Sequence, residues 1–197
     1  MTHTAEEHDL FGDDGRTLHA LRVAGWLAAD RLTAWGIDEP GRTLDRLTEA
    51  ELVRLVRSPR GEMYGLTPAG TERATALLTG WLTGDKGPDR GTLTDALAGF
   101  EKHDGTLKRL VTACQQGQRD GAGQRLGAFH QQAHDALAAV GAATALWASY
   151  PERLAAALHR VTDGDTDYLA SPLVESYHTV WHLAHRDMRL VCEALPA

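Results

Sequence analysis

Residues 52–70 read LVRLVRSPRGEMYGLTPAG, and the fold turns on this stretch. A run of valine and leucine, a Ser-Pro-Arg-Gly turn and a second short run predict two antiparallel strands. Thr67 then offers a helix cap, with Pro68 behind it, where a proline's missing N–H costs nothing. Working outward toward the N-terminus, Leu18, Leu21, Val23, Trp26 and Leu27 have the spacing of one helix. Leu32, Trp35 and Ile37 suit a second short helix broken at Gly36. After the turn IDEPG, the run RTLDRLTEAELV predicts a third, with Leu44, Leu47 and Leu52 pointing inward. Three short helices followed by a two-stranded hairpin are the ingredients of a winged helix-turn-helix.

Working outward in the other direction, TGWLTGDKGPDRG over residues 79–91 brings glycines, a proline and mixed charges, the composition of a connection. Beyond it the periodicity is helical. Thr92 to Phe100, Leu107 to Gln116, and PERLAAALHRV from Pro151 each predict a helix, and Leu126 to Trp147 predicts the longest one. In the last helix, SPLVESYHTVWHLAHRDMRLV from Ser171 to Val191, Ser171 is the expected cap and Pro172 the first-turn residue. The expected class is therefore mainly α: a winged helix over residues 1–82, a linker over 83–92, and an α-helical ligand-binding or dimerisation domain over 93–197.

The chain has 197 residues, 43% hydrophobic and 24% charged, with a formal charge of −7. That balance fits a folded chain and argues against polyanion binding through the whole surface, leaving room for a local basic patch. With only Cys114 and Cys192 there is no disulfide framework and no CxxC pair. The acidic start MTHTAEEHDLFGDDG has no apolar leader segment, and no run reaches membrane-spanning length. The expectation is a cytoplasmic protein without a membrane partner.

Histidines supply the candidate chemistry. His178, His182 and His185 fall at i, i+4 and i+7 along the edge of the apolar arc that contains Tyr177 and Trp181. His130 and His134 form a second i, i+4 pair, at the border of the Leu126–Trp147 helix. Two readings stand. These are either half-buried histidines bonded to backbone or carboxylates, or the few polar groups of an aromatic-lined pocket for a small, partly aromatic or anionic molecule. An HxxxH pair can hold a metal, but neither pair carries the glutamate of an HExxH motif, and the expectation is no tight metal and no cofactor. If the protein is an enzyme, His178, His185 and Tyr177 are the catalytic candidates, with Asp187 or Asp135 available to orient an imidazole. The break QGQRDGAG lacks the lysine of a phosphate loop. The alternating Asp163, Asp165 and Asp167 have Tyr168 and Val174 where a calcium loop needs glycine and glutamate.

The run from Leu18 to Leu78 resembles the winged-helix domain of MarR-type and PadR-type regulators, in which Tyr-x-Leu-Thr-x-x-Gly closes the wing. Here the pattern is Tyr64, Gly65, Leu66, Thr67 and Gly70. With LHALRVAGW at 18–26 and SYHTVWHLAH at 176–185, the chain is similar to a group of actinobacterial winged-helix proteins with an α-helical second domain. Some of that group are MarR-like regulators and some are associated with phosphoenolpyruvate-synthase-type enzymes.

If the winged helix binds double-stranded DNA, Arg42, Thr43 and Arg46 are the groove-facing candidates on the third helix, with Arg57 and Arg60 on the wing. Asp45, Glu49 and Glu51 lie on or beside the same helix, where they repel phosphate. The leading expectation is a transcriptional regulator, with a homodimer as a candidate assembly, whose helical half binds a small-molecule effector through His130, His134, Tyr177, His178, Trp181, His182 and His185. The alternative is an enzyme of specialised metabolism on a winged-helix scaffold, using the same histidines for acid–base or metal chemistry.

Overall fold

The computed structural model describes residues 12–58, 61–85 and 87–196. The chain is mainly helical, with one small three-stranded antiparallel sheet. It divides into two compact units, the first ending at Gly87 and the second spanning Pro88–Cys192, with the residues from Glu193 grouping with the first. Among the described residues no helix is long and apolar enough to cross a membrane.

In the first unit, α1 (Asp13–Ala24) carries Asp13 and Asp14 in its first turn and Arg22 in its last, each charge matched to the helix dipole. Gly25, at φ 83°, turns the chain out of the helix. Trp26 and Leu27, expected to continue α1, instead form β1 and pair with Gly65 and Tyr64. The glycine explains the difference, because its left-handed conformation ends the helical ladder one residue before the tryptophan. A 3-10 helix (Ala29–Trp35) follows and stops at Gly36, φ 75°. Next comes α2 (Pro40–Glu49), started by a proline. Its end is a Schellman turn: Leu52 N–H donates to Leu47 O at 2.9 Å and Glu51 N–H to Thr48 O at 3.0 Å. Glu51 occupies the left-handed position at φ 57°, where glycine is usual.

The hairpin is β2 (Val53–Ser58) and β3 (Gly61–Leu66), in register from Val53 opposite Leu66 to Ser58 opposite Gly61. The sheet order is β1-β3-β2. Thr67 caps α3 (Pro68–Thr83) by accepting from Gly70 N–H at 3.0 Å, while its own hydroxyl donates to Glu51 O at 2.7 Å. One residue thus joins the end of α2, the hairpin and the next helix. Leu18, Leu21, Leu32, Ile37, Leu44, Leu47, Val53, Leu77 and Leu78 are buried together as this unit's core. Leu52, expected inside with Leu44 and Leu47, is only half-buried.

The second unit contains α4 (Arg90–Glu101), α5 (Asp104–Gln115), α6 (Ala122–Gln132), α7 (His134–Ala143), α8 (Tyr150–Thr162), the short α9 (Asp167–Ala170) and α10 (Tyr177–Glu193). Asp89 caps α4, accepting from Thr92 N–H at 2.7 Å. Two expectations need correction. The helix read as continuous from Leu126 to Trp147 is interrupted at Ala133 (φ −88°, ψ −1°), and α7 ends at Ala143 because Thr144 is extended (φ −161°, ψ 152°). Trp147 is therefore buried in the turn before α8 rather than on a helix. Likewise α10 begins at Tyr177, not near Pro172. Ser176 is the residue that caps, taking Thr179 N–H at 3.3 Å and lying 2.9 Å from the Thr179 hydroxyl. Ser171 precedes an irregular turn in which Leu173 is 73% exposed.

Candidate functional site

The site is built on α10. Tyr177, Val180, Trp181, Ala184, Asp187, Met188 and Val191 are its buried residues, spaced as one helical face. Phe100 of α4 stacks on Trp181 with centroids 3.9 Å apart. Phe129 of α6 meets Trp181 and Tyr177 edge-on at 5.4 and 6.0 Å. So α10 faces both α6, which contains Leu126, and α4.

The histidines do not form one stripe of equivalent groups. His185 is half-buried between two carboxylates: its Nε2 lies 2.8 Å from Glu101 Oε1 and its Nδ1 3.4 Å from Asp104 Oδ2. Arg189 shares the same Glu101 oxygen, donating from Nε at 2.9 Å and Nη2 at 2.6 Å. Asp104 in turn accepts from Trp181 Nε1 at 2.7 Å. The hydrogen bonds from His185 and then Arg189 hold the Glu101 carboxyl below its usual range. His185 is thus a clasp between α10 and the α4–α5 corner.

His130 and His178 are different. Both are half-buried, and burial lowers both imidazoles below their ordinary value, helped by His134 near His130 and by His182 and Lys108 near His178. The His130 Nδ1 lies 3.0 Å from the Tyr177 hydroxyl. Burial pushes the Tyr177 phenol well up, so Tyr177 keeps its proton beside the His130 ring. His134 and His182 are exposed. Among the described residues, no group of three or more histidine, cysteine, aspartate or glutamate side chains is arranged to hold a metal ion.

Asp187 was expected to be available to a histidine; it accepts instead from the Tyr150 hydroxyl at 2.8 Å, both groups fully inside the protein. Beside them Arg153 donates to Glu175 at 2.8 Å and its guanidinium lies 5.2 Å from the centre of the Tyr150 ring. Asp135 is exposed on α7. The buried carboxylate had a readable signal. Position 187 lies three residues after Ala184, inside the apolar arc, and an aspartate there demands a buried donor.

The candidate nucleic-acid face lies in the first unit. Arg42 is 78% exposed and pairs with Glu39 at 2.9 Å. Arg46 is gripped by Asp14 of α1, its Nε 3.2 Å from both carboxylate oxygens. Arg57, 79% exposed, pairs across the hairpin with Glu62 at 3.0 Å. Thr43 does not reach the surface: it is 2% exposed, on the inner side of α2 beside Leu44. Arg60 lies outside the described residues. Arg54, not among the sequence candidates, is exposed and lies 5.1 Å from the Trp26 ring across Gly65. Its place in β2, alternating with buried Val53, could have marked it.

A comparison of the chain with protein-family models, with curated proteins and with solved structures finds no match in any of the three.

Proposed function

We propose that this chain is a winged-helix transcriptional regulator whose helical unit binds a small-molecule effector. The observation that supports it most is the connectivity of the first unit. A helix, a two-residue strand, a helical turn, a second helix and a hairpin follow in order, and the short strand pairs with the inner side of the hairpin. This arrangement turns one face of α2 outward beside β2 and leaves Arg42, Arg46, Arg54 and Arg57 on the surface, where a duplex groove and its flanking phosphates would be met. In the helical unit the half-buried His130 meets Tyr177, and the half-buried His178 follows it on the edge of the buried Tyr177–Trp181 face. Half-buried imidazoles at the edge of a buried aromatic cluster are polar groups of the kind a small organic effector would use. The enzyme alternative draws less support, since both ring nitrogens of His185 already face carboxylates and the Tyr177 hydroxyl is committed to His130.

The test is an anisotropy titration against a duplex carrying the upstream region of the gene. Saturable binding is expected, weakened across sequences and with a flatter salt dependence in Arg57→Ala/Arg60→Ala. No saturable binding even at low salt would remove the regulator reading and leave the first unit as a scaffold.

A further inference from the structure

The ion pairs on the candidate DNA face are not alike. Arg42–Glu39 joins residues three apart at the start of one helix, and Arg57–Glu62 joins paired positions of one hairpin. Asp14–Arg46 instead links the first turn of α1 to the outer face of α2, across 32 residues of sequence. The contact is two-toothed: the Arg46 Nε faces both Asp14 oxygens at 3.2 Å, and its Nη2 closes on Oδ1. This is the planar fork geometry in which arginine takes a phosphate. Asp14 also lies in the first turn of α1, the end of a helix that attracts negative charge. The pair is about half exposed on both sides, so solvent and a docking polyanion can reach it. A hollow lined by Asp13, Asp14, Arg46 and Arg73 opens beside it.

We infer that Asp14 is a built-in competitor of the DNA phosphate for Arg46, so that duplex binding proceeds by exchange of a carboxylate for a phosphate on this guanidinium. The inference rests on the DNA-binding reading. Its consequence is regulatory. Anything that draws Asp14 away from Arg46, through a shift of α1 against α2, frees a phosphate ligand without creating a new contact. Affinity is thereby set by the distance between two helices of the first unit.

The experiment is a double-mutant cycle on the full chain, read by anisotropy with a labelled mixed-sequence duplex over a salt series, using wild type, Asp14→Asn, Arg46→Ala and the double variant. Asp13→Asn serves as control for the loss of one neighbouring negative charge. Asp14→Asn is expected to tighten binding roughly two- to fivefold, the worth of an exposed ion pair, with a salt slope close to that of wild type because Arg46 meets the same phosphate in both, whereas Arg46→Ala should flatten the slope by about 0.9. The gain should exceed that of Asp13→Asn and vanish in the Arg46→Ala background. Equal gains in Asp14→Asn and Asp13→Asn, or a gain that survives without Arg46, would overturn the exchange and leave only a general field effect. Should neither wild type nor Asp14→Asn bind duplex at low salt, the DNA reading itself fails and the exchange falls with it. Thermal melts of all variants establish that each is folded.

Discussion

Gly70, in the first turn of α3, lies directly against the backbone of Leu52: a β-carbon built at Gly70 would stand 1.9 Å from the Leu52 carbonyl oxygen. That oxygen is already engaged, accepting from Thr67 N–H at 3.0 Å. The close approach is what makes the glycine of Leu-Thr-x-x-Gly necessary, since only a residue without a side chain lets the helix start against the strand. Gly70→Ala must push α3 away from β2 and disturb the Thr67 cap. We expect a loss of about 3 kcal/mol or more, the scale of forced overpacking plus a lost cap. Chemical denaturation measures it, and a midpoint within error of wild type would contradict the close approach.

Glu51 offers the opposite change. It holds φ 57° at the end of α2 and contributes its backbone rather than its side chain to Thr67. Glu51→Gly removes the cost of placing a β-carbon in the left-handed region, offset in part by the freer unfolded chain. A net gain of about 0.5 to 1 kcal/mol is expected, visible as a raised melting temperature. A fall would mean that the glutamate side chain does more than its geometry indicates.

Acid should weaken the helical unit in two ranges. His130 and His178 have imidazoles lowered by burial from an ordinary value of 6.5. Between that value and their depressed ones the unfolded chain binds more protons, so stability falls as pH drops below about 6.5. Glu101, lowered by His185 and Arg189, contributes stability that is present above the usual carboxylate range and is lost as pH falls through its depressed value. Melting temperatures followed from neutral pH downward should therefore decline in two steps. His178→Gln should soften the first step and Glu101→Gln the second. A flat profile in wild type through the histidine range would refute the burial of those rings.

Tyr150→Phe tests the buried pair. It deletes the hydroxyl that donates to Asp187 while keeping the ring against Arg153. The expected cost is about 1 to 3 kcal/mol, that of depriving a buried carboxylate of one donor. A change under about 0.5 kcal/mol, ordinary for a surface substitution, would mean that water or another donor replaces it at no penalty.

Much of the first unit was legible because its signals are local. Thr67, Pro68 and Gly36 each act within one turn, and the hairpin follows from a short turn between two apolar runs; Pro40, read as part of a turn, in fact opens α2. Trp26 escaped because apolar spacing alone does not separate the last turn of a helix from a two-residue strand; Gly25 before it was the decisive residue. In the second unit the buried face of α10 was readable from periodicity, but the fates of its histidines were not. His178 and His185 have the same spacing relative to that face, and what separates them is whether Glu101 and Asp104 arrive opposite. That depends on α4 and α5, some eighty residues away in the chain. The break at Ala133 leaves no mark in composition, since alanine favours the helix it interrupts.

The Tyr150–Asp187 bond also bears on how α10 finds its place beside α8. A face made only of Val180, Ala184, Met188 and Val191 would pack nearly as well after sliding by one turn, because small aliphatic side chains at helical spacing present much the same outline every three or four residues. A carboxylate in that face removes the degeneracy. Slid by a turn, Asp187 would be dehydrated against carbon with no hydroxyl to receive it, and the alternative packing would be rejected however well its apolar groups met. With the Trp181–Asp104 and His185–Glu101 contacts, the pair works as an indexing pin: it raises the energy of the neighbouring registers more than it deepens the native minimum.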